Sequence, residues 1–376
     1  MKRKVIDVLA YKTESYDSDC FLKDIVSYSP NSVVIVYDPE KARVVYRPEG
    51  YNLSYEVFPL FDLKKSVFLY YIYPLWFLIS FFKILFYFFR LCLKFKVRVL
   101  VVDNTYLATG LGLLRRFRLV KRFIYLAGDW LPGNKVNKRF WSFLGNEVVY
   151  PLCDLFCARS ADVTLNFTKD ISESRKTYWK RSVTKFEGIL PLRLETKKVK
   201  EKERNKIVFL GNVRDDSGLE IAITSLKRLK KKMDVSLKII GPFKSPPKNL
   251  YLLAKKNGVL KDVDFLGFVE RENFKEVLAD CFCGINVLTS SYSYTIKTMP
   301  SKLFDYLQYS LPVIVSKNLG PLSKVIEEHK LGIVINPNEE EYIKAVEKTF
   351  LSYKKYKKNL IDYINLFQDK KISDYF

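Results

Sequence analysis

The stretch Met299–Ser316, MPSKLFDYLQYSLPVIVS, brings a cation, a carboxylate and a helix start close together. Pro300 suits the turn or first position of a helix, where its missing N–H has no partner to lose. The N–H groups of Ser301, Lys302 and Leu303 then point outward from a positive helix end, which favours phosphate. Lys302 adds a full charge. Asp305 follows one turn later, where a carboxylate can accept paired hydrogen bonds from the vicinal hydroxyls of a ribose. A plain amphipathic helix joining two strands of an α/β sheet has the same pattern without any ligand, so this segment alone supports both readings.

The surrounding elements separate them. Lys206–Arg214 reads KIVFLGNVR, a strand ending in Gly-Asn; Ser236–Phe243 reads SLKIIGPF, a strand ending in Gly-Pro; Asp262–Glu270 reads DVDFLGFVE, a third. A helix and the strand Gly284–Leu288 come next, and then Met299–Ser316. In this order the motifs resemble the C-terminal, donor-binding domain of the group 1 (family 4) GT-B glycosyltransferases, over most of residues 205–350. The N-terminal half is similar more loosely, through Arg122–Pro132 (RFIYLAGDWLP), which looks like that family's strand ending in a polar turn at the cleft. The fold so implied is α/β, GT-B: two Rossmann-like domains facing a central cleft.

The resemblance also implies roles. Gly211 lets the backbone approach a donor diphosphate, and Asn212, Arg214 and Gly241 belong to the same donor-binding set. Phe268 and Val269 flank the base. Pro300, Ser301, Lys302 and Leu303 hold phosphate, and Asp305 stands where the family has a ribose-binding glutamate. Lys302, and Arg214 by its proximity rather than by the family pattern, are the candidates for stabilising the departing diphosphate, and Asp129, beside Trp130 at the acceptor site, is the candidate for orienting or deprotonating the acceptor hydroxyl. Asp129 also reads as a plain turn-forming aspartate. The family's reaction is retaining, with front-side attack and no required protein nucleophile; the co-substrate is a nucleotide-sugar, and no metal or cofactor is called for. Several positions depart from the family pattern: the double-glycine loop after the first strand is absent, and Gly128 stands where a histidine is common. Asn212 and Ser217 stand where cations are usual, and Lys297 where the first of two glutamates is expected.

Composition bounds the alternatives. At 376 residues, 48% of them apolar, the chain is long enough for two α/β domains with separate cores. Its six cysteines are irregularly spaced and its one histidine, His329, lies in a Glu-Glu-His-Lys turn. A disulfide framework, a zinc site and a Ser-His or Cys-His nucleophile are therefore not expected. The cysteines read as reduced core residues of a cytosolic protein. The net charge of +23 is uneven: residues 51–200 hold 26 basic and 11 acidic side chains. No nucleic-acid motif accompanies them, so an anionic membrane surface is the expected partner rather than nucleic acid.

That expectation rests on Ser66–Phe89, SVFLYYIYPLWFLISFFKILFYFF, in which only Lys83 is charged. It has transmembrane length. It also lies between two apparent strands, Tyr55–Leu60 and Val97–Val102, whose pairing a bilayer crossing would tear apart. A buried crossover helix, a spanning helix and an interfacial helix all remain open; the last suits both sheet and composition best. Leu111–Arg122 (LGLLRRFRLVKR) points the same way, with arginines beside leucines.

Strands expected at Val5–Ala10, Ser32–Tyr37, Tyr55–Leu60, Val97–Val102, Phe123–Leu126 and Ala161–Leu165 give a parallel sheet in an acceptor domain of residues 1–195. The charged run within 196–205 reads as a linker, 206–352 as the donor domain, and 353–376 as a helix returning to the first domain. The expected protein is a hexosyltransferase, peripheral on the inner face of the cell membrane, acting on a lipid-linked saccharide or other glycan acceptor. A non-catalytic nucleotide-sugar-binding scaffold and a nucleotide-sugar epimerase are its rivals.

Overall fold

Runs of β-branched and aromatic residues bounded by turn residues form strands in both halves of the chain. The computed structural model describes residues 3–11, 29, 31–37, 41–46, 56–59, 73–103, 105–133, 144–189, 197, 203–243, 245–270, 273–290 and 301–366, some of them by backbone alone. Lys297, Pro300 and the first part of the apolar segment, 66–72, lie outside these residues, as does the side chain of Ser301. Two units separate: Met1–Leu192 with Lys370–Phe376, and Arg193–Asp369.

The first unit holds β1 (Val5–Tyr11), β2 (Ser32–Tyr37), β3 (Lys41–Tyr46), β4 (Glu56–Pro59), β5 (Lys96–Val102), β6 (Val120–Ala127), β7 (Val163–Asn166) and β8 (Glu187–Ile189). Their order is β4-β3-β2-β1-β5-β6-β7-β8. The run from β2 through β1 to β8 is parallel, but β3 pairs antiparallel with β2, and β4 antiparallel with β3. This corrects the expected all-parallel sheet: a hairpin partner inserts after β2, so the strand near Tyr55–Leu60 becomes an antiparallel edge. The start of β1 is pinned by Asp7, whose carboxylate accepts from Arg98 Nε at 3.0 Å and from the Val99 N–H at 3.1 Å.

The apolar segment forms a helix over Tyr73–Lys94, between β4 and β5. Phe88, Leu91, Cys92 and, just beyond, Phe95 are buried in the core, at the three- and four-residue spacing of one helix face. Among the described residues no helix is long and apolar enough to cross a membrane.

The second unit is wholly parallel. Its strands are β9 (Lys206–Leu210), β10 (Ser236–Ile240), β11 (Val263–Gly267), β12 (Cys281–Asn286), β13 (Val313–Ser316) and β14 (Gly332–Ile335), in the order β11-β10-β9-β12-β13-β14. Alternation along β9 sends Ile207 and Phe209 into one core and Val208 and Leu210 into the other. The last described helix, Tyr353–Asn365, was expected to return to the first domain. Instead it belongs to the second unit, because Leu360, Tyr363 and Ile364 on one of its faces complete the core around Leu307 and Leu322.

The five described cysteines are free, and all but Cys153 are buried. Burial pushes the thiol of Cys92 up to about 11 and that of Cys281 up to about 12. Among the described residues no three His, Cys, Asp or Glu side chains gather to hold a metal ion.

Candidate functional site

In an open parallel sheet, ligands bind beyond the carboxyl ends of the strands where the strand order reverses. In the second unit that point lies between β9 and β12. β9 ends at Gly211, whose φ of +119° is a conformation that L side chains rarely adopt. The neighbouring strand ends follow suit. A Cβ on Gly241 would lie 2.3 Å from the Gly211 carbonyl oxygen, so the two turns abut without room for a side chain. Gly211 N–H donates to the Ile240 carbonyl at 2.9 Å, and Gly241 N–H to that of Gly267 at 2.9 Å.

Across the switch point, the helix Ser301–Gln308 starts at the expected residue. Leu303 and Tyr306 are buried beneath it. The Tyr306 hydroxyl accepts from Leu210 N–H at 2.9 Å and lies 3.1 Å from the Ile285 carbonyl, so it ties the helix to the ends of β9 and β12. Gly284 makes this possible: a Cβ there would lie 2.5 Å from the Tyr306 ring.

Lys302 is thereby directed at the β9 exit. Its Nζ stands 4.5 Å from the centre of the Phe209 ring and would lie 3.9 Å from a Cβ at Gly211. Burial, and after it the nearby Arg214 charge, lower its ammonium pKa to about 7, against a smaller opposing pull from Asp216. Asp305, three residues on, is partly buried on the same helix. Arg214 is held by Asp216 through Nε to Oδ1 at 3.0 Å.

The structure thus gathers Gly211, Gly241, Arg214 and Lys302. Asn212 is exposed beside them. Phe268, exposed, and Val269, partly buried, follow edge strand β11. Around Asn212, Arg214, Pro242 and Phe243 lies a cavity of about 310 Å³.

Two residues of this site were missed from sequence. Asp216 is buried, and besides Arg214 it accepts from Ser290 Oγ at 3.0 Å. Gly218, at φ +68°, is the only residue type that fits, since a Cβ would lie 2.0 Å from the Val287 carbonyl oxygen. The signal was present as Asp-Asp-Ser-Gly, a dense cluster of turn residues just after a strand. Ser217, where a cation was looked for, instead donates its hydroxyl to the Arg214 carbonyl at 2.5 Å and shapes that turn.

In the first unit Asp129 follows β6 and is exposed, whereas Trp130 is buried. The Trp130 ring packs edge-on to Tyr150 and Tyr178, with centroids 6.3 and 5.6 Å away. Trp130, expected at the acceptor, is therefore an anchor for its neighbour. The Tyr150 hydroxyl donates to the Asp129 carbonyl at 2.5 Å. Burial, then the Asp154 charge, push that hydroxyl well above its ordinary pKa, so it remains a donor. Below it Arg175 donates to Asp154 through Nε at 2.6 Å and Nη2 at 3.0 Å, and Tyr125 donates to Asp154 at 2.9 Å. Every charge in this buried cluster is paired.

Comparison with known proteins agrees with this geometry. Residues 193–366 match the model of the family "Glycosyl transferases group 1". No protein of curated function matches the chain. Among solved structures, sucrose-phosphate synthase from Thermosynechococcus elongatus is similar with a TM-score of 0.65 at 10% identity, over 97% of this chain and 95% of that one. A glycosyltransferase from Rickettsia africae gives 0.64 at 10% identity, over 100% and 98%. Anabaena Alr3699/HepE in complex with UDP gives 0.62 at 11% identity, over 98% and 95%. At such identities the likeness shows the fold, GT-B with two Rossmann-like units.

Proposed function

We propose, from the match of residues 193–366 to the group 1 glycosyltransferase family, that the protein transfers a hexosyl group from a nucleoside-diphosphate sugar to an acceptor hydroxyl. The observation that carries the reading is Lys302 reaching the β9 exit beside Arg214 at the switch point of the sheet. Two cations and the helix-end N–H groups of Ser301 to Leu303 suit a pyrophosphate, and Asp305 suits the ribose. A UDP complex of a structural neighbour makes uridine the first base to test.

In the reaction the C1–O bond to the β-phosphate breaks and the acceptor oxygen bonds C1. The acceptor proton passes to the departing phosphate oxygen, and the configuration at C1 is retained. Negative charge grows on the diphosphate as it leaves, so Lys302 and Arg214 act where the transition state is most anionic. Asp129 orients the acceptor hydroxyl. Protein cations do this neutralising without a metal. The acceptor proposed is a lipid-linked saccharide, met by a protein bound peripherally to the cytoplasmic membrane face.

Titration calorimetry against UDP-, GDP- and ADP-sugars tests the donor. Binding of one of them is expected, with a loss of about 10- to 100-fold in Lys302→Met, the range for a charge-assisted hydrogen bond. Absence of millimolar binding by all three overturns the proposal. A second reading, binding without transfer, is favoured by Asn212 and Ser217 in place of cations. Donor hydrolysis or transfer at any rate that Lys302→Met abolishes excludes it.

A further inference from the structure

The helix Tyr73–Lys94 has a second apolar stripe that the core does not use. Phe82, Phe86, Phe89 and Leu93 are 61%, 59%, 39% and 52% exposed. Their spacing of four, three and four residues places them on one line along the helix. At ~100° per residue that line lies ~160° around the axis from the buried line of Phe88, Leu91 and Phe95. The adjoining helix, Thr105–Arg116, ends in a turn that exposes Phe117 at 72%. Aromatic side chains are costly to leave in water in such a row, and a row of them marks a surface that is covered in use.

The charges around the row say by what. Arg90 and Lys94 are exposed on the same helix, Lys96 and Arg98 are exposed on β5 just after it, and Arg116 and Arg118 flank Phe117. Arg90 lies 5.9 Å from the Phe86 ring, so its charge sits at the rim of the apolar strip rather than away from it. Among the described residues of both helices there is no acidic side chain. A protein partner or a second copy of this chain would have to bring an acidic collar to match. An anionic bilayer supplies that charge together with the apolar depth.

We infer that the exposed face of the Tyr73–Lys94 helix and the Phe117 turn form a docking surface for anionic phospholipid, with Phe82, Phe86, Phe89, Leu93 and Phe117 at acyl-boundary depth and the basic side chains at the phosphates. The helix is followed directly by β5, so its N-terminal end lies toward the carboxyl ends of the parallel strands, the sheet edge that also bears Asp129. The surface deepens the proposed lipid-linked acceptor but stands on its own observations.

The full-length protein is floated with vesicles of phosphatidylcholine alone and with a third phosphatidylglycerol. Binding to the anionic vesicles only is expected, weakening as salt rises. Phe82→Ser with Phe86→Ser lowers the partition at least about tenfold, and Arg90→Gln with Lys94→Gln lowers it about fivefold for each cation removed. Circular dichroism melting checks that each variant is folded. Both pairs still bind UDP-sugar, while Lys302→Met loses the sugar and keeps the vesicles, so the two readings fail separately. Failure of the folded wild type to float overturns the inference. So does partition that neither pair alters, or a stable dimer that the phenylalanine pair dissolves without any vesicle binding.

Discussion

Lys302 is a cation whose charge is conditional. With its ammonium pKa at about 7 in the free protein, it is largely neutral above that pH until an anion is bound. A diphosphate raises the pKa again, so binding above pH 7 takes up a proton. Linkage fixes the sign: affinity is flat below pH 7 and falls as pH rises from 7 to the raised pKa, by at most tenfold per pH unit. Calorimetry from pH 6 to 9, in buffers of different ionisation enthalpy, measures both slope and proton. Lys302→Arg abolishes the slope. Arg214→Gln raises the Lys302 pKa and moves the onset upward, because Arg214 is the second cause of the depression. Asp216→Asn acts oppositely, since it removes a carboxylate that counters Arg214 there. The sequence disclosed Lys302 and Arg214 together at the diphosphate, but not the buried Asp216 that holds Arg214. Asp216 belongs to the turn that closes at Gly218, which packs against the Val287 carbonyl just after β12.

The site is only as well placed as the helix Ser301–Gln308. Gly284→Ala puts a methyl group 2.5 Å from the Tyr306 ring, in a core with no slack. The expected cost is about 1–3 kcal/mol of stability, as for other overpacked positions. Donor affinity falls with it, because Lys302 moves with the helix. Tyr306→Phe keeps the ring and strands the Leu210 N–H, for a similar loss of about 1–3 kcal/mol. Denaturant titration and calorimetry on both variants separate fold from site. β9 and β10 of this unit were legible because each is buried on both faces and reads as a short apolar run closed by glycine. The first unit was less so. β3 was missed although Asp38-Pro39-Glu40 between two β-prone runs is a hairpin signal; the expectation of a parallel sheet overrode it. β8 is three residues long and held at the sheet edge partly by Asn166 Nδ2 donating to Glu187 Oε1 at 2.8 Å, a long-range contact with no local pattern.

Two units with separate cores in one chain make two unfolding events the natural expectation. On the proposed function, a donor sugar bound to the second unit is expected to raise the transition of that unit by mass action. Arg175→Met leaves Asp154 ionised and unpaired in the interior of the first unit, at a cost of about 3–5 kcal/mol. Differential scanning calorimetry should show the first transition falling while the sugar-responsive one holds. A single transition that both changes move together would contradict this division. The buried cysteines give the same question a chemical clock. Thiols that stay protonated inside the core do not react with alkylating reagents, so labelling proceeds only as fast as the protein opens around them. Cys92 and Cys157 time the opening of one half, Cys281 and Cys283 that of the other. Peptide mass mapping after pulsed alkylation therefore reads, without any added probe, which half yields first.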